Sequence, residues 1–313
     1  MVREGIPSEA MSDALTRTWS PPYPLDLPRV LAPLRRGSGD PTTRVEPAGA
    51  VWWGTTTPVG PTTLRVRKNS AGEVEATAWG RGAQLVLDDL PGLLGAADDA
   101  SGFVAVHEVV ERGRRASHGV RLCASGRVWD VLVAAVLEQK VTNREAWRSW
   151  RELCLRFGSP APGPVEKLWV APDPVQLRGI RDWEWHRAGI DGARRRTLLA
   201  AASVASRLER AVELRGVEGR ELLQKVPGIG PWTAAEIAQR AWGDPDAVSI
   251  GDYHLPTIVG LALAGRPLDD EGMLEALAPY AGHRHRAVRY LAAAGATRPR
   301  HGPRMPVRDY RAM

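Results

Sequence analysis

The sequence is poor in several residue types, and each shortage closes off a class of protein. Only two of its 313 residues are cysteine, Cys123 and Cys154. Two thiols exclude a disulfide framework and any four-cysteine zinc or iron–sulfur site within the chain. Both fall in apolar helical contexts and are expected as inert core residues. No apolar run approaches the roughly 18 residues needed to cross a bilayer. Glu4, Pro7 and Glu9 interrupt any charged-then-apolar leader. The expectation is therefore a cytoplasmic protein with no membrane partner. Lysine occurs four times among 42 basic residues, so 38 are arginine. Most of that bias goes with the abundance of Ala, Gly and Pro that GC-rich coding favours. The remainder suits phosphate contacts, where the guanidinium fork meets two oxygens at once.

What is present describes an ordinary soluble chain of about two domains, with 43% apolar and 25% charged residues and a net charge of +6. Such a charge permits a polyanionic partner without demonstrating one. Residues 1–40 are rich in Pro, Arg and Gly and read as an extended arm. From 41 to 115 the pattern is β-rich. Leu64 and Val66 alternate with Arg65 and Arg67, and after Asn69-Ser70-Ala71-Gly72 a second run alternates Val74, Ala76 and Ala78 with Glu75 and Thr77; this is a β-hairpin. Val51-Trp52-Trp53 and Leu85-Val86-Leu87 are further strand candidates. From 116 to 296 the period is helical, with helices expected over 128–137, 145–157, 193–212, 218–225, 232–242, 254–264 and 271–294. Five prolines mark 158–175 as a connector, and 297–313, with five arginines, reads as a basic tail. The fold class is α+β: a small antiparallel sheet followed by an all-helical domain.

The most informative segment is Leu222-Leu223-Gln224-Lys225-Val226-Pro227-Gly228-Ile229-Gly230-Pro231-Trp232-Thr233-Ala234. A helix runs into Val226, breaks at the two glycines and restarts at Pro231, where a missing N–H costs nothing. Gly228 and Gly230 permit positive φ and close approach, and Ile229 can anchor the turn in the core. Such a corner offers unpaired N–H groups of Gly228, Ile229, Gly230 and Thr233 to a phosphate. Backbone amides do not read base identity. The plain alternative is a corner packed inside a helical protein.

The full string resembles the helix-hairpin-helix of the HhH-GPD superfamily of DNA glycosylases, and the resemblance covers about 120–295. It implies a catalytic Asp beyond the next helix, after a Gly/Pro-rich loop; Asp252 falls there, and it can equally cap the helix that follows. It implies a base-gap corner at Val136–Thr142, with Gln139 at the best-matching position. Beside it stands Lys140, where the AlkA branch has an apolar wedge; either residue can fill the gap. Ala188–Arg196 resembles the family's Gly-Leu-x-x-x-Lys-Ala helix start. Trp232 stands where strand-cleaving relatives carry Lys, so the resemblance implies a monofunctional glycosylase without an iron–sulfur cluster, closest to the AlkA-like 3-methyladenine branch. Trp232, Tyr253 and His254 are the base-pocket candidates, although the aromatic set is incomplete: four residues after Trp232 stands Glu236. The family also implies Na+ or K+ on the carbonyls of Gln224, Val226 and Ile229, with no cofactor required. The expected function is excision of an alkylated purine from double-stranded DNA by a monomer. The alternatives are a deaminated or oxidised base, or a non-catalytic DNA-binding or damage-sensing protein.

Overall fold

The computed structural model describes residues 14–298. The first 13 residues of the expected arm, and nearly all of the basic tail, lie outside them. The described part of the arm is not merely extended. Leu15–Trp19 forms strand β1, and Leu27–Leu31 forms helix α1, capped by Asp26. Leu25, Leu27, Val30, Leu31 and Leu34 are buried, so the segment has the core that its Pro and Arg content argued against.

Strands β2 (Thr43–Val45), β3 (Val51–Thr57), β4 (Gly60–Lys68) and β5 (Val74–Gly80) follow. With β1 they make one antiparallel sheet in the order β1-β5-β4-β3-β2. The β4–β5 hairpin has the expected alternation: Leu64, Val66, Val74, Ala76 and Ala78 are buried, and Leu64 faces Ala78 across the ladder. Leu85-Val86-Leu87 is not a strand. It lies in helix α2 (Ala83–Asp88), which runs almost directly into α3 (Leu90–Leu93); three consecutive apolar residues carry no period of their own.

Helix α4 (Glu108–Ala116) precedes the central helix α5 (Trp129–Leu137), in which every residue but Asp130 is buried. Two carboxylates fix α5. Glu209 accepts from the N–H groups of Val128 and Trp129 at 2.8 and 2.9 Å, capping the first turn. Asp130 accepts from the Thr55 hydroxyl and the Thr56 N–H at 2.7 and 3.0 Å, bolting the helix to β3. Burial raises the pKa of both.

Helix α6 (Asn143–Phe157) opens with a capping box formed by Thr142 and Glu145. The expected connector then builds a two-stranded ribbon, β6 (Ser159–Pro160) and β7 (Trp169–Val170). Its Leu168 and Val170 cover the outer face of the sheet, where Trp52 and Trp79 stack at 5.3 Å. Helices α7 (Pro174–Arg178), α8 (Asp182–Arg187), α9 (Gly192–Ser203), α10 (Ala205–Leu208) and α11 (Ala211–Leu214) come next. The single helix expected over 193–212 is thus divided in three. Helices α12 (Gly216–Gln224), α13 (Pro231–Ala241) and α14 (Leu255–Leu263) follow their expectations closely. The run expected over 271–294 is broken around Pro279 and Gly282 into α15 (Asp270–Ala276), a short 3-10 turn and α16 (Arg284–Ala293).

The buried side chains form two main clusters. The inner face of the sheet shares one of them with α5, α6, α9, α12 and α13, so sheet and first helical half have a common core. The second holds Val110, Val259, Met273, Leu277, Tyr280, Ala287 and Leu291. Helix α4, placed by its sequence position with the sheet, belongs to this second cluster through Val110. Asp98 and Arg286, both almost fully buried, join the two halves: Arg286 Nη2 donates to Asp98 Oδ1 at 2.6 Å and Nη1 to Oδ2 at 3.2 Å. Cys123 and Cys154 are buried. Burial raises both thiol pKa values, that of Cys154 strongly, so both stay protonated and inert at neutral pH.

Candidate active site

The α12–α13 corner positions the site. Gly228 takes φ +90° and lies so close to α9 that a Cβ would fall 1.9 Å from Thr197 Oγ1. Two requirements, backbone sign and space, thus coincide at one residue. We expect Gly228→Ala to displace the corner and weaken duplex binding at least about tenfold, a loss of roughly 1.4 kcal/mol. A fluorescence titration checks it, and wild-type affinity would show that the corner is not part of the grip. Gly230 behaves differently. It is extended at φ −93°, and an added Cβ would meet nothing within 4 Å, so neither positive φ nor crowding demands glycine there. Ile229 is buried, as expected, but its N–H is spent within the turn on Val226 O at 3.0 Å and is not the free phosphate donor the sequence suggested. Because α13 begins at Pro231, the N–H groups of Trp232 and Thr233 have no partner within the helix, and no side chain caps the Gly230 end.

Gln139 and Lys140 close α5 beside this corner but have different fates. Gln139 Nε2 donates to Gly228 O at 2.9 Å and to Thr233 Oγ1 at 2.8 Å. It clasps the turn and is not free at the tip. The Thr233 hydroxyl is likewise buried and engaged, leaving its N–H as the group a phosphate could reach. Lys140 is exposed and sits at φ +53°, a conformation that costs a non-glycine residue on the order of 1–3 kcal/mol. Arg194 supports the corner from behind, donating to Leu137 O at 3.0 Å.

Asp252 stands across from this corner, ahead of α14. Its Oδ1 accepts from the N–H groups of His254 and Leu255 at 2.8 and 2.9 Å. Its Oδ2 accepts from Trp232 Nε1 at 3.0 Å. The capping and catalytic readings of Asp252 are therefore geometrically compatible: one oxygen is fixed by the helix start, and the other turns toward the hairpin helix. Trp232, partly exposed, is tied to this carboxylate by its edge. Tyr253 is 88% exposed, with its ring edge-on to His254 at 4.8 Å, so the pair does not form the closed base pocket the sequence suggested. Asp244 is buried beside Arg220 and Trp242, and Asp246 accepts from Arg284 N–H at the start of α16; both are structural loop residues.

Sequence reasoning missed an ionic group further along α13. Glu236 accepts from Arg240 Nη1 at 2.8 Å and from the Ser249 hydroxyl at 2.5 Å. Arg240 Nε donates to Pro33 O at 3.0 Å, and Arg36 lies 3.7 Å from Glu138. Burial pulls Arg240 toward the neutral form, but Glu236 and Glu138 outweigh it and its pKa lies above the ordinary value. Burial dominates at Arg36 and lowers its pKa. The available signal was the four-residue spacing of Trp232, Glu236 and Arg240, which places them on one helix face.

No family model matches the chain. Over 141 residues it is 33% identical to the probable bifunctional transcriptional activator/DNA repair enzyme AlkA of Mycobacterium tuberculosis, a match covering 44% of this chain and 26% of that protein. The matched region thus spans about a quarter of that relative's length. Over 125 residues the chain is 29% identical to the thymine/uracil-DNA glycosylase of Pyrobaculum aerophilum, covering 39% of this chain and 47% of the other. Its fold is that of the 3-methyladenine DNA glycosylase of Archaeoglobus fulgidus, with a TM-score of 0.70 at 15% identity over 88% of this chain and 96% of that one. The relatives and structural neighbours are DNA glycosylases of the HhH-GPD type.

Proposed function

We propose that this chain, with the fold and the relatives just described, is itself a monofunctional DNA N-glycosylase that removes a damaged base from duplex DNA. The observation that carries the reading is the placement of Asp252: a carboxylate pinned by two backbone amides and an indole N–H, opposite a glycine corner with unpaired helix N–H groups. The corner takes a phosphate and holds the strand regardless of sequence. Lys140 enters the gap left by the extruded base, because Gln139 is held to the turn. As the sugar–base bond breaks, Asp252 stabilises the positive charge developing on the deoxyribose and orients a water. Trp232 supplies no amine, so no Schiff base forms and the strand remains intact. The turn's carbonyls at Gln224, Val226 and Ile229 are neutral donors, a set suited to a monovalent cation; the Val226 oxygen already accepts from Ile229 N–H at 3.0 Å.

Two base classes fit such a site. An alkylated purine is already cationic and leaves without protonation; it needs chiefly a stacking surface, which the exposed ring of Tyr253 offers. A neutral deaminated or oxidised base is the second reading, supported by the thymine/uracil specificity in one relative's name.

The test is a lesion-bearing duplex incubated with the protein. The strand is expected to stay whole until alkali cleaves it at the new abasic site; scission without alkali would overturn the monofunctional assignment. Binding through phosphates also predicts steep salt dependence. For about six phosphate contacts, affinity should fall by roughly 10³-fold between 50 and 200 mM salt. A flat dependence by fluorescence anisotropy would contradict the proposed grip.

A further inference from the structure

The chain leaves the described fold close to Asp252, and the fold itself sets that exit. Helix α16 stops in two reversed hydrogen bonds: Gly295 N–H donates to Ala292 O at 3.1 Å, and Ala296 N–H donates to Leu291 O at 3.0 Å. Gly295 takes φ +81°, the left-handed conformation that such a helix stop requires. Ala296 then packs against the second cluster, so the body of the protein fixes the direction of the residues that follow. They arrive at the start of α14. Arg298 Nη2 lies 3.5 Å from His254 Nε2, and the His254 N–H is one of the two that hold Asp252. Among the described residues, the Arg298 guanidinium meets this imidazole and no carboxylate.

Residues 299–313 come next in the sequence and lie outside the described ones. They hold Arg300, Arg304, Arg308 and Arg311 against a single acid, Asp309. At about 3.3 Å per residue, a stretch of this length can span up to roughly 50 Å. Duplex DNA presents a negative charge about every 1.7 Å along its axis.

We propose that residues 299–313 act as an arm that runs from beside Asp252 along one flank of the duplex, its arginines neutralising backbone phosphates. The inference rests on the glycosylase reading, because it needs DNA laid against Asp252, and it adds a second grip to that of the glycine corner. The two grips differ in kind. The corner offers backbone amides, which carry partial charge only. Each arginine of the arm brings a whole charge in a fork that matches two phosphate oxygens, and whole charges are what release counterions from DNA. The tether also matters. An arm anchored beside the bound strand meets phosphates at a high effective concentration, so contacts that are weak singly still count. Such contacts do not read base identity, which suits a search for rare damage in any sequence.

The experiment uses the full-length chain, with Arg300, Arg304, Arg308 and Arg311 replaced together by Gln in one variant and by Lys in another. Melting temperatures confirm that both fold. Binding to a duplex carrying a tetrahydrofuran abasic-site analogue is followed by fluorescence anisotropy across a salt series. The Gln variant is expected to bind at least about tenfold more weakly at low salt, with a slope of log affinity against log salt shallower by roughly 2–3 units. The Lys variant, which keeps the charges, is expected to stay within a few-fold of wild type. With the analogue moved close to one duplex end and then to the other, the difference between wild type and the Gln variant is expected to vanish in one arrangement only. A wild-type slope in the Gln variant would overturn the inference, and so would an equal effect of the two ends. Tighter binding by the Gln variant would also overturn it, since the arm would then compete with DNA for the site. A shallower slope in the Gln variant, with no lesion released by wild type from any duplex, would remove the glycosylase reading and keep the arm. No duplex binding by wild type would remove both.

Discussion

Replacing Asp252 with Asn is expected to abolish most base release while leaving the protein folded and able to bind DNA. Two roles meet in this side chain and the substitution separates them. Asn keeps an oxygen at the position that accepts from His254 and Leu255, and Asn and Asp rank alike as helix caps. The bond from Trp232 Nε1 to Oδ2 is lost, because the amide nitrogen has no lone pair to offer; that costs about 1 kcal/mol. What disappears is the negative charge beside the sugar. Removing a single group aimed at transition-state charge typically costs about 10²–10³-fold in rate, and a full carboxylate belongs at the upper end. Single-turnover release on the favoured lesion, run alongside thermal melting and duplex titration, separates the effects. A rate within a few-fold of wild type would end the assignment of Asp252 as the catalytic group.

Replacing Arg286 with Ala should produce the largest loss of stability. Its guanidinium bonds both oxygens of Asp98 and the Asp99 carbonyl, with the two side chains only 3% and 4% exposed. Burial works against the charged form of Arg286, but the Asp98 bonds more than compensate and raise its pKa. Truncation leaves the buried Asp98 carboxylate without its counter-charge and with the Leu122 N–H as its remaining donor, at an expected cost of about 3–5 kcal/mol. Urea denaturation measures it. The double variant, with Asp98 also replaced by Ala, should recover part of the loss because no charge is left unpaired. A double variant no more stable than the Arg286 single would mean that the pair acts through packing and not through charge.

The parts of this molecule legible in sequence are those whose signal is local. The β4–β5 alternation and the Pro-Gly-Ile-Gly-Pro corner each specify themselves within a dozen residues. Pairings over long separations left no such mark. Strand β1 was hidden among prolines and arginines because its partner β5 lies more than 50 residues away, and an edge strand needs only one apolar face. Leu85–Leu87 is too short to show a period. Within the site, Asp252 was readable from its distance to the hairpin. The clasp made by Gln139 was not, since it depends on a carbonyl at Gly228 that any residue would supply. Glu236 was visible as a departure from an aromatic pattern, yet its partners, Ser249 and the N-terminal Pro33 carbonyl by way of Arg240, appear only once the chain is folded.

The return of β1 to the sheet edge, together with the core the sheet shares with α5, has a practical meaning for dissecting the protein. The front sheet is not a detachable module. A fragment starting near residue 104 would bare the flank of α5 that β3 covers, strip Asp130 of both threonine partners and remove the backbone oxygen that steadies Arg240. Such a truncation is expected to cost the helical half its fold, and with it the geometry that sets Asp252 against Trp232.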